Sequence, residues 1–265
     1  MIIDMLIGGF AGIISRTTTA PLDLIKIQQQ NKYLKNSTIQ DVLKKEGIRF
    51  MWKGNLVNCT RVFPQMAISY AVYEKSKKVY YYIQDKDLKN FICGGIGGFV
   101  ATSITYPMET IRTRMSLQMN HSHYKNPLSV IKQLSLHDLY NGVGISMLGF
   151  TSFSALNFMF YKRYNELFVN NNFSEQSSKF LSGGFAGISS LSITYPTDLL
   201  RRRFQMQNFN SDTPKYSNSI DAVKKIIRSE GIIGLYSGLP IAYFRIFPCL
   251  AIQFWCIENG KNLFY

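Results

Sequence analysis

The chain has 265 residues, 46% hydrophobic and 14% aromatic, and only 17% charged, yet its formal net charge is +14. Soluble domains ordinarily carry about 25% charged residues, so the balance leaves a nucleic-acid binder or a membrane protein that handles anions or anionic lipid. The bases recur at intervals inside apolar segments rather than in one tail, which favours the membrane class and speaks against a nucleic-acid partner.

The first apolar helix begins at once. "MIIDMLIGGF" lacks the basic start of a cleavable signal. The helix carries Gly8 and Gly12, a spacing that lets membrane helices approach closely, and then meets "APLDLIK" at 20–26. A polar stretch follows, then "EGIRFMWKG" at 46–54 and a second apolar, aromatic-rich stretch near 56–80. The pattern restarts with Gly94 and Gly98, "YPMETIR" at 106–112, a polar segment ending in "LYNG" at 139–142, and an apolar stretch over 143–168. It restarts again with Gly183 and Gly187, "YPTDLLR" at 195–201, "EGIIGLYSG" at 230–238 and an apolar stretch over 239–258.

Pro21, Pro107 and Pro196 are 86 and 89 residues apart, and each opens a proline-x-acid-x-x-base motif. A fixed period means a recurring structural unit. The expected fold is an all-α membrane protein: three tandem repeats (1–83, 84–170 and 171–265), each of two transmembrane helices plus a short amphipathic helix, closing a six-helix pseudo-threefold barrel. Proline removes a helical donor and clashes with the preceding turn, so each odd helix is expected to kink inward. The motifs then converge, and acids pair with bases of neighbouring repeats: Asp23–Arg112, Glu109–Arg201 and Asp198–Lys26. Charges at membrane depth are costly unless paired and facing water. A ring that closes one mouth of a wet cavity meets that condition and makes a gate.

Cys59, Cys93, Cys249 and Cys256 show no ligand spacing and read as buried free thiols. His121, His123 and His137 sit in polar segments and read as solvated loop residues, so no metal or other cofactor is expected.

The three signatures, the three aromatic-x-Gly segments and the six apolar stretches resemble the mitochondrial carrier family over nearly the whole chain. The resemblance implies a monomeric alternating-access transporter rather than an enzyme. It implies a multi-pass protein of the inner mitochondrial membrane or of a mitochondrion-related organelle such as a mitosome or hydrogenosome, with the short helices on the matrix side. It also assigns roles. A glutamine nine residues after the proline braces the matrix gate, here Gln30 and Gln205, with Ser116 in the second repeat. An aromatic-acid-x-x-base motif on the even helices forms a cytoplasmic gate: Tyr73, Glu74 and Lys77, then Glu258 and Lys261 after Ile257. The middle copy departs, with Lys162 and Asn165 in place of acid and base, so this gate is expected to be the weaker. Gly54, Gly142 and Gly238 mark helix starts that hold cardiolipin phosphates, as free N–H groups and the helix dipole favour.

The family places substrate contacts seven residues beyond those glycines: Arg61, Gly149 with Phe150, and Arg245. Arg16 lies above the first motif and Arg202 follows the third. Forked arginine donors suit phosphate oxygens, and no acid stands among these contact positions, so a polyanionic ligand is expected. Gly149 leaves room for a flat ring, and Phe150, Phe153 and Thr194 offer it a stacking and hydrogen-bonding slot. Arg16, Arg61 and Arg245 resemble the phosphate-binding bases of ADP/ATP carriers, which implies exchange of adenine nucleotides. "RRRFQMQ" at 201–207 keeps the arginines but not the methionines that follow in those carriers. An ATP-Mg/phosphate carrier, a coenzyme A carrier and a nucleotide-inhibited uncoupler therefore stay open as alternatives.

Overall fold

A computed structural model describes residues 2–31, 44, 47–118, 124, 126–209 and 213–264, without the side chains of 2–6, 86–87, 254, 257–258 and 261–264. Its helices are α1 (Ile2–Gln30), α2 (Asn55–Thr60), α3 (Val62–Val79), α4 (Lys86–Leu117), α5 (Pro127–Gln133), α6 (Leu136–Leu139), α7 (Val143–Asn170), α8 (Glu175–Gln205), α9 (Ser219–Glu230) and α10 (Leu239–Phe264). Helices α2 and α3 form one rod. Arg61 between them keeps helical dihedrals, and its N–H reaches the Val57 carbonyl at 3.2 Å. Single 3₁₀ turns at Ile48–Trp52 and Ile232–Tyr236 precede the first and third even helices.

At 1.5 Å per residue the long helices α1, α4, α7, α8 and α10 reach about 39–48 Å, more than a bilayer core of ~30 Å. Among the described residues, Leu88–Leu117, Leu136–Asn170 and Ile232–Gln253 are also apolar enough to cross a membrane by composition alone. Helices α1 and α8 fall short of that measure although the motif-bearing α4 meets it; the apolar part of α8 is diluted by Ser, Gly and Thr. The lipid-side positions are apolar: Phe10, Ile14, Ile193 and Phe244 are all exposed.

The ring closes between repeats. Helix α3 packs along α4, α7 along α8, and α10 along α1. Helices α1, α4 and α8 meet one another at the motif end, running through Pro21, Pro107 and Pro196 without interruption. Two apolar clusters sit at that end. One gathers Ile27, Val57, Ile111, Val130 and Met206; the other gathers Leu199, Phe204, Ala222, Ile226 and Leu235. Helix α9 joins the second through one face, pinned by Asn218, whose side chain accepts from the Asp221 N–H at 2.8 Å, and by a buried Arg203–Glu230 ion pair at 3.0 Å. The short helix of the first repeat falls largely on undescribed residues, as do His121 and His123.

The spaced glycines only partly serve as close-approach points. A Cβ at Gly94, Gly183 or Gly187 would meet nothing within 4 Å. The tightest backbone approach is at Gly97, where a Cβ would lie 2.6 Å from the Ser69 carbonyl. Gly9 and Gly184 instead receive the rings of Phe63 and Phe247 from the even helix of the same repeat. The cysteines also differ from expectation: Cys93 is buried, whereas Cys59, Cys249 and Cys256 are partly exposed.

Candidate functional site

Each expected cross-repeat pair is an ion pair. Arg112 reaches Asp23 at 2.9 Å, Arg201 reaches Glu109 at 3.0 Å, and Lys26 reaches Asp198 at 2.7 Å. The helical period explains the geometry. Acid and base three residues apart share one face of an odd helix, and three such faces meet around one axis. Arg201 also pairs with Asp198 within its own helix.

Two glutamines lie against this ring. Gln30 donates to Asp198 and to the Tyr195 hydroxyl, both at 3.1 Å. Gln205 accepts from Arg202 at 3.0 Å and lies 2.8 Å from the Thr113 hydroxyl. Ser116 does not reach the Asp23–Arg112 pair; it donates to the backbone carbonyls of Arg112 and Lys53. Asn58 takes that place, accepting from Arg112 at 2.9 Å, and Ser146 at the equivalent step of the next repeat lies 3.4 Å from Arg201. The sequence reading missed both. The signal was available, since the residue four beyond the aromatic-x-Gly glycine is polar in two repeats of three (Asn58, Ser146, Ala242).

Above the ring lies a cavity of about 370 Å³. It is lined by Arg16, Lys26, Arg61, Arg112, Arg201, Arg202 and Arg245 against Asp23, Glu109 and Asp198, seven bases to three carboxylates, a net of +4. Phe150, Phe153 and Thr194 line it as well.

Two expectations for this cavity change. The contact arginines are not free of acids. Arg61 lies 3.1 Å from Glu109, and Arg245 Nε lies 3.1 Å from Asp23. The contact step of one even helix thus stands over the gate acid of the following repeat, which the spacing along a single repeat does not reveal. Gly149, at the equivalent step of the middle repeat, lines the cavity with Phe150 and Phe153, and a Cβ there would lie 2.5 Å from the Thr197 hydroxyl, so the glycine also lets α8 approach. Arg202 lines the cavity floor, yet its guanidinium is committed to Glu109 at 3.1 Å, Thr113 at 2.6 Å and Gln205. Arg16 alone of the three expected phosphate ligands has no carboxylate partner among the described residues; it donates to the Asn58 carbonyl at 3.3 Å.

Donor capacity is left over. Arg61, Arg201 and Arg202 each keep a buried Nε–H with no hydrogen-bond acceptor among the described residues, whereas Arg245 Nε is the atom that faces Asp23. A buried guanidinium with an unused donor is costly unless a ligand satisfies it.

At the opposite mouth the described residues make few contacts between helices. Tyr73 donates to Asn90 at 2.9 Å, and Lys77 stacks over the Tyr73 ring at 4.7 Å. Among the described residues Glu74 forms no ion pair to another helix. Lys162 lies over Phe158 at 4.9 Å. The side chains of Glu258 and Lys261 lie outside the described residues.

Gly54, Gly142 and Gly238 are the helix-start residues of α2, α7 and α10, at φ of +80°, +86° and +86°. Only glycine adopts this conformation freely. A Cβ would also press on the carbonyl of a gate base of the following repeat: Arg112 at 3.1 Å, Arg201 at 3.4 Å and Lys26 at 3.3 Å, respectively. Tyrosines preceding the motif prolines tie the same segments to the odd helices. Tyr106 donates to the Asn141 carbonyl at 2.9 Å and Tyr195 to the Ser237 carbonyl at 2.8 Å. Ala20 stands in that place in the first repeat, where Trp52 donates to the Thr17 carbonyl at 2.9 Å instead.

A ring of helices in three repeats, tied at one end by cross-repeat ion pairs beneath a cationic cavity, is the frame of a multi-pass membrane transporter. The family model for mitochondrial carrier protein matches three times, over residues 1–84, 83–172 and 174–265. The chain belongs to that family. It is 32% identical to an uncharacterized mitochondrial carrier of Saccharomyces cerevisiae, over 97% of this chain and 90% of that protein. It is 30% identical to a mitochondrial adenyl nucleotide antiporter of Homo sapiens, over 98% of this chain and 57% of that protein. It is 29% identical to a mitochondrial adenine nucleotide transporter of Arabidopsis thaliana, over 97% of this chain and 85% of that protein.

Proposed function

We propose that this carrier exchanges adenine nucleotides across the inner mitochondrial membrane, acting as a monomer. The observation that carries the reading is the +4 lining of the cavity: it calls for a ligand with several anionic oxygens, and Arg16 offers a first contact. Both nucleotide-carrying relatives align along nearly the full length of this chain.

The mechanism follows from the shared arginines. Phosphates that engage Arg16 draw Arg61 from Glu109 and Arg245 from Asp23. Arg201 and Arg112 line the same cavity, so phosphates that compete for them in turn break the Glu109–Arg201 and Asp23–Arg112 pairs. Binding energy thus offsets the cost of opening the matrix end, and only differential affinity for the two states drives the change. Cardiolipin phosphates at the N–H groups beyond Gly142 and Gly238, with Gly54 as the third equivalent, complete the proposal.

The test is uptake of labelled ADP into liposomes holding the purified protein and preloaded with ATP, phosphate, coenzyme A or nothing. Uptake dependent on internal ATP supports the proposal. Uptake driven by phosphate or coenzyme A alone moves the carrier to those substrates. No uptake under any loading overturns exchange.

A further inference from the structure

The odd helices end just beyond the ionic ring, and the last carbonyls of a helix have no partner within it. Each of these ends receives a side chain from the preceding repeat. Lys53 of the first repeat donates to the Gln118 carbonyl at the end of α4 at 2.6 Å. Arg114 of the second donates to the Gln205 and Gln207 carbonyls at the end of α8, at 3.0 and 2.9 Å. Ser237 of the third donates to the Gln29 carbonyl at the end of α1 at 3.0 Å. We propose that these three ties form a second lock beneath the ionic one, with Arg114 its strongest member, and that this lock limits opening of the motif end independently of any ligand. It holds whichever anion the cavity takes.

The ring of ties follows the repeat with one replacement. Lys53 and Ser237 occupy the same step, between the aromatic residue and the glycine of "WKG" and "YSG". Asn141 stands there in the middle repeat, and its side chain forms no hydrogen bond among the described residues. Arg114 takes its place. It lies seven residues after Pro107, as Arg203 lies seven after Pro196. Arg203 is held inside its own repeat by Glu230. The residue equivalent to Glu230, eight before the aromatic-x-Gly glycine, is Leu134 in the middle repeat, and among the described residues Arg114 forms no ion pair. Arg114 is only 1% exposed. Its guanidinium turns to the helix end of the next repeat, where the macrodipole favours a cation.

The two locks differ in what undoes them. The ionic pairs line the cavity, so an anionic ligand reaches them, whereas Lys53, Arg114 and Ser237 do not line it. The carbonyls they hold lie three to six residues beyond the gate bases Lys26, Arg112 and Arg201, about 4.5–9 Å further along each helix. These ties part only when the repeats themselves move apart. A charge-assisted hydrogen bond is roughly twice as strong as a neutral one. Arg114, with two such bonds to one helix end, therefore outweighs Lys53 with one and Ser237 with a neutral one. The lock is unequal, tightest between the second and third repeats.

The experiment is hydrogen exchange of the full chain in detergent without ligand, read by mass spectrometry, for the wild type, Arg114→Gln, Arg114→Lys and Arg203→Gln. Arg114→Gln is expected to speed exchange roughly ten-fold or more along the gate turns of all three odd helices (23–30, 109–117 and 198–205). That includes α1, to which Arg114 makes no hydrogen bond. The far ends of α3 and α7 (70–79 and 160–170) are expected to keep their wild-type rates. Arg114→Lys keeps the charge but cannot fork to two carbonyls. It is expected to give the same pattern more weakly, and it carries the test where Arg114→Gln does not fold. Arg203→Gln removes a guanidinium that is also buried but whose partner lies in its own repeat, and is expected to speed exchange only in α9 and the end of α8. Acceleration by the Arg114 variants confined to 113–118 and 203–209 overturns the proposal, since it marks two frayed helix ends and no lock. So does acceleration that extends to the far ends, or the three-helix pattern in Arg203→Gln.

Discussion

The two ends of the barrel are held by different means. At the motif end four ion pairs, two glutamines and one apolar cluster join α1, α4 and α8, and a second cluster seats α9 on α8. At the open end the described residues contribute a tyrosine–asparagine hydrogen bond and cation–π contacts within single helices. The contacts of this conformation are therefore concentrated at the end that the proposed mechanism opens. In that mechanism an ionic latch is suited to its task, because an ion pair can be exchanged for another anion, whereas an apolar seal offers a phosphate nothing.

Perturbations should track that gradient. The largest effect is expected from Glu109→Gln, because Glu109 neutralises Arg61, Arg201 and Arg202 together. Removing one partner from a buried ionic cluster costs about 3–5 kcal/mol. Thermal unfolding in detergent should show a large fall in Tm, with ADP exchange abolished. Gly54→Ala is next, since it strains a positive φ and presses on Ser116; a loss of about 1–3 kcal/mol is expected in the same assay. Gln30→Ala removes two hydrogen bonds to the ring and should cost about 1–3 kcal/mol. A small loss in Tm with retained exchange fits a brace, and complete loss of exchange would make Gln30 part of the latch itself. The smallest effect is expected at the open end, where Tyr73→Phe removes one hydrogen bond to Asn90, about 0.5–1.5 kcal/mol. A Tm shift equal to that of Glu109→Gln would erase the distinction between the ends.

The repeat made much of this legible. A threefold period fixes which residues occupy equivalent steps, so Asp23, Glu109 and Asp198 were assigned their partners before any coordinates. What one repeat meets in the next was not legible. Arg61 over Glu109, Arg245 over Asp23 and Thr197 against Gly149 all depend on how an even helix turns toward the following odd helix, and spacing within a repeat carries no information on that rotation. The tyrosines before Pro107 and Pro196 were visible in "YPMETIR" and "YPTDLLR", but their target is a backbone carbonyl, which leaves no mark in a sequence. Asn58 left only a faint signal: its repeat counterparts are serine and alanine, so the step is polar in two repeats of three without being a fixed motif.

The central claim is that gate and substrate compete for the same arginines. It is tested most directly by the affinity of Asp23→Asn for ADP, titrated beside the wild type. Asp23 holds Arg245 and Arg112. Removing its charge frees both, so the account predicts tighter ADP binding together with loss of coupled exchange. Weaker ADP binding by Asp23→Asn would contradict it, and the arginine pairs would then be scaffolding rather than a latch the substrate opens.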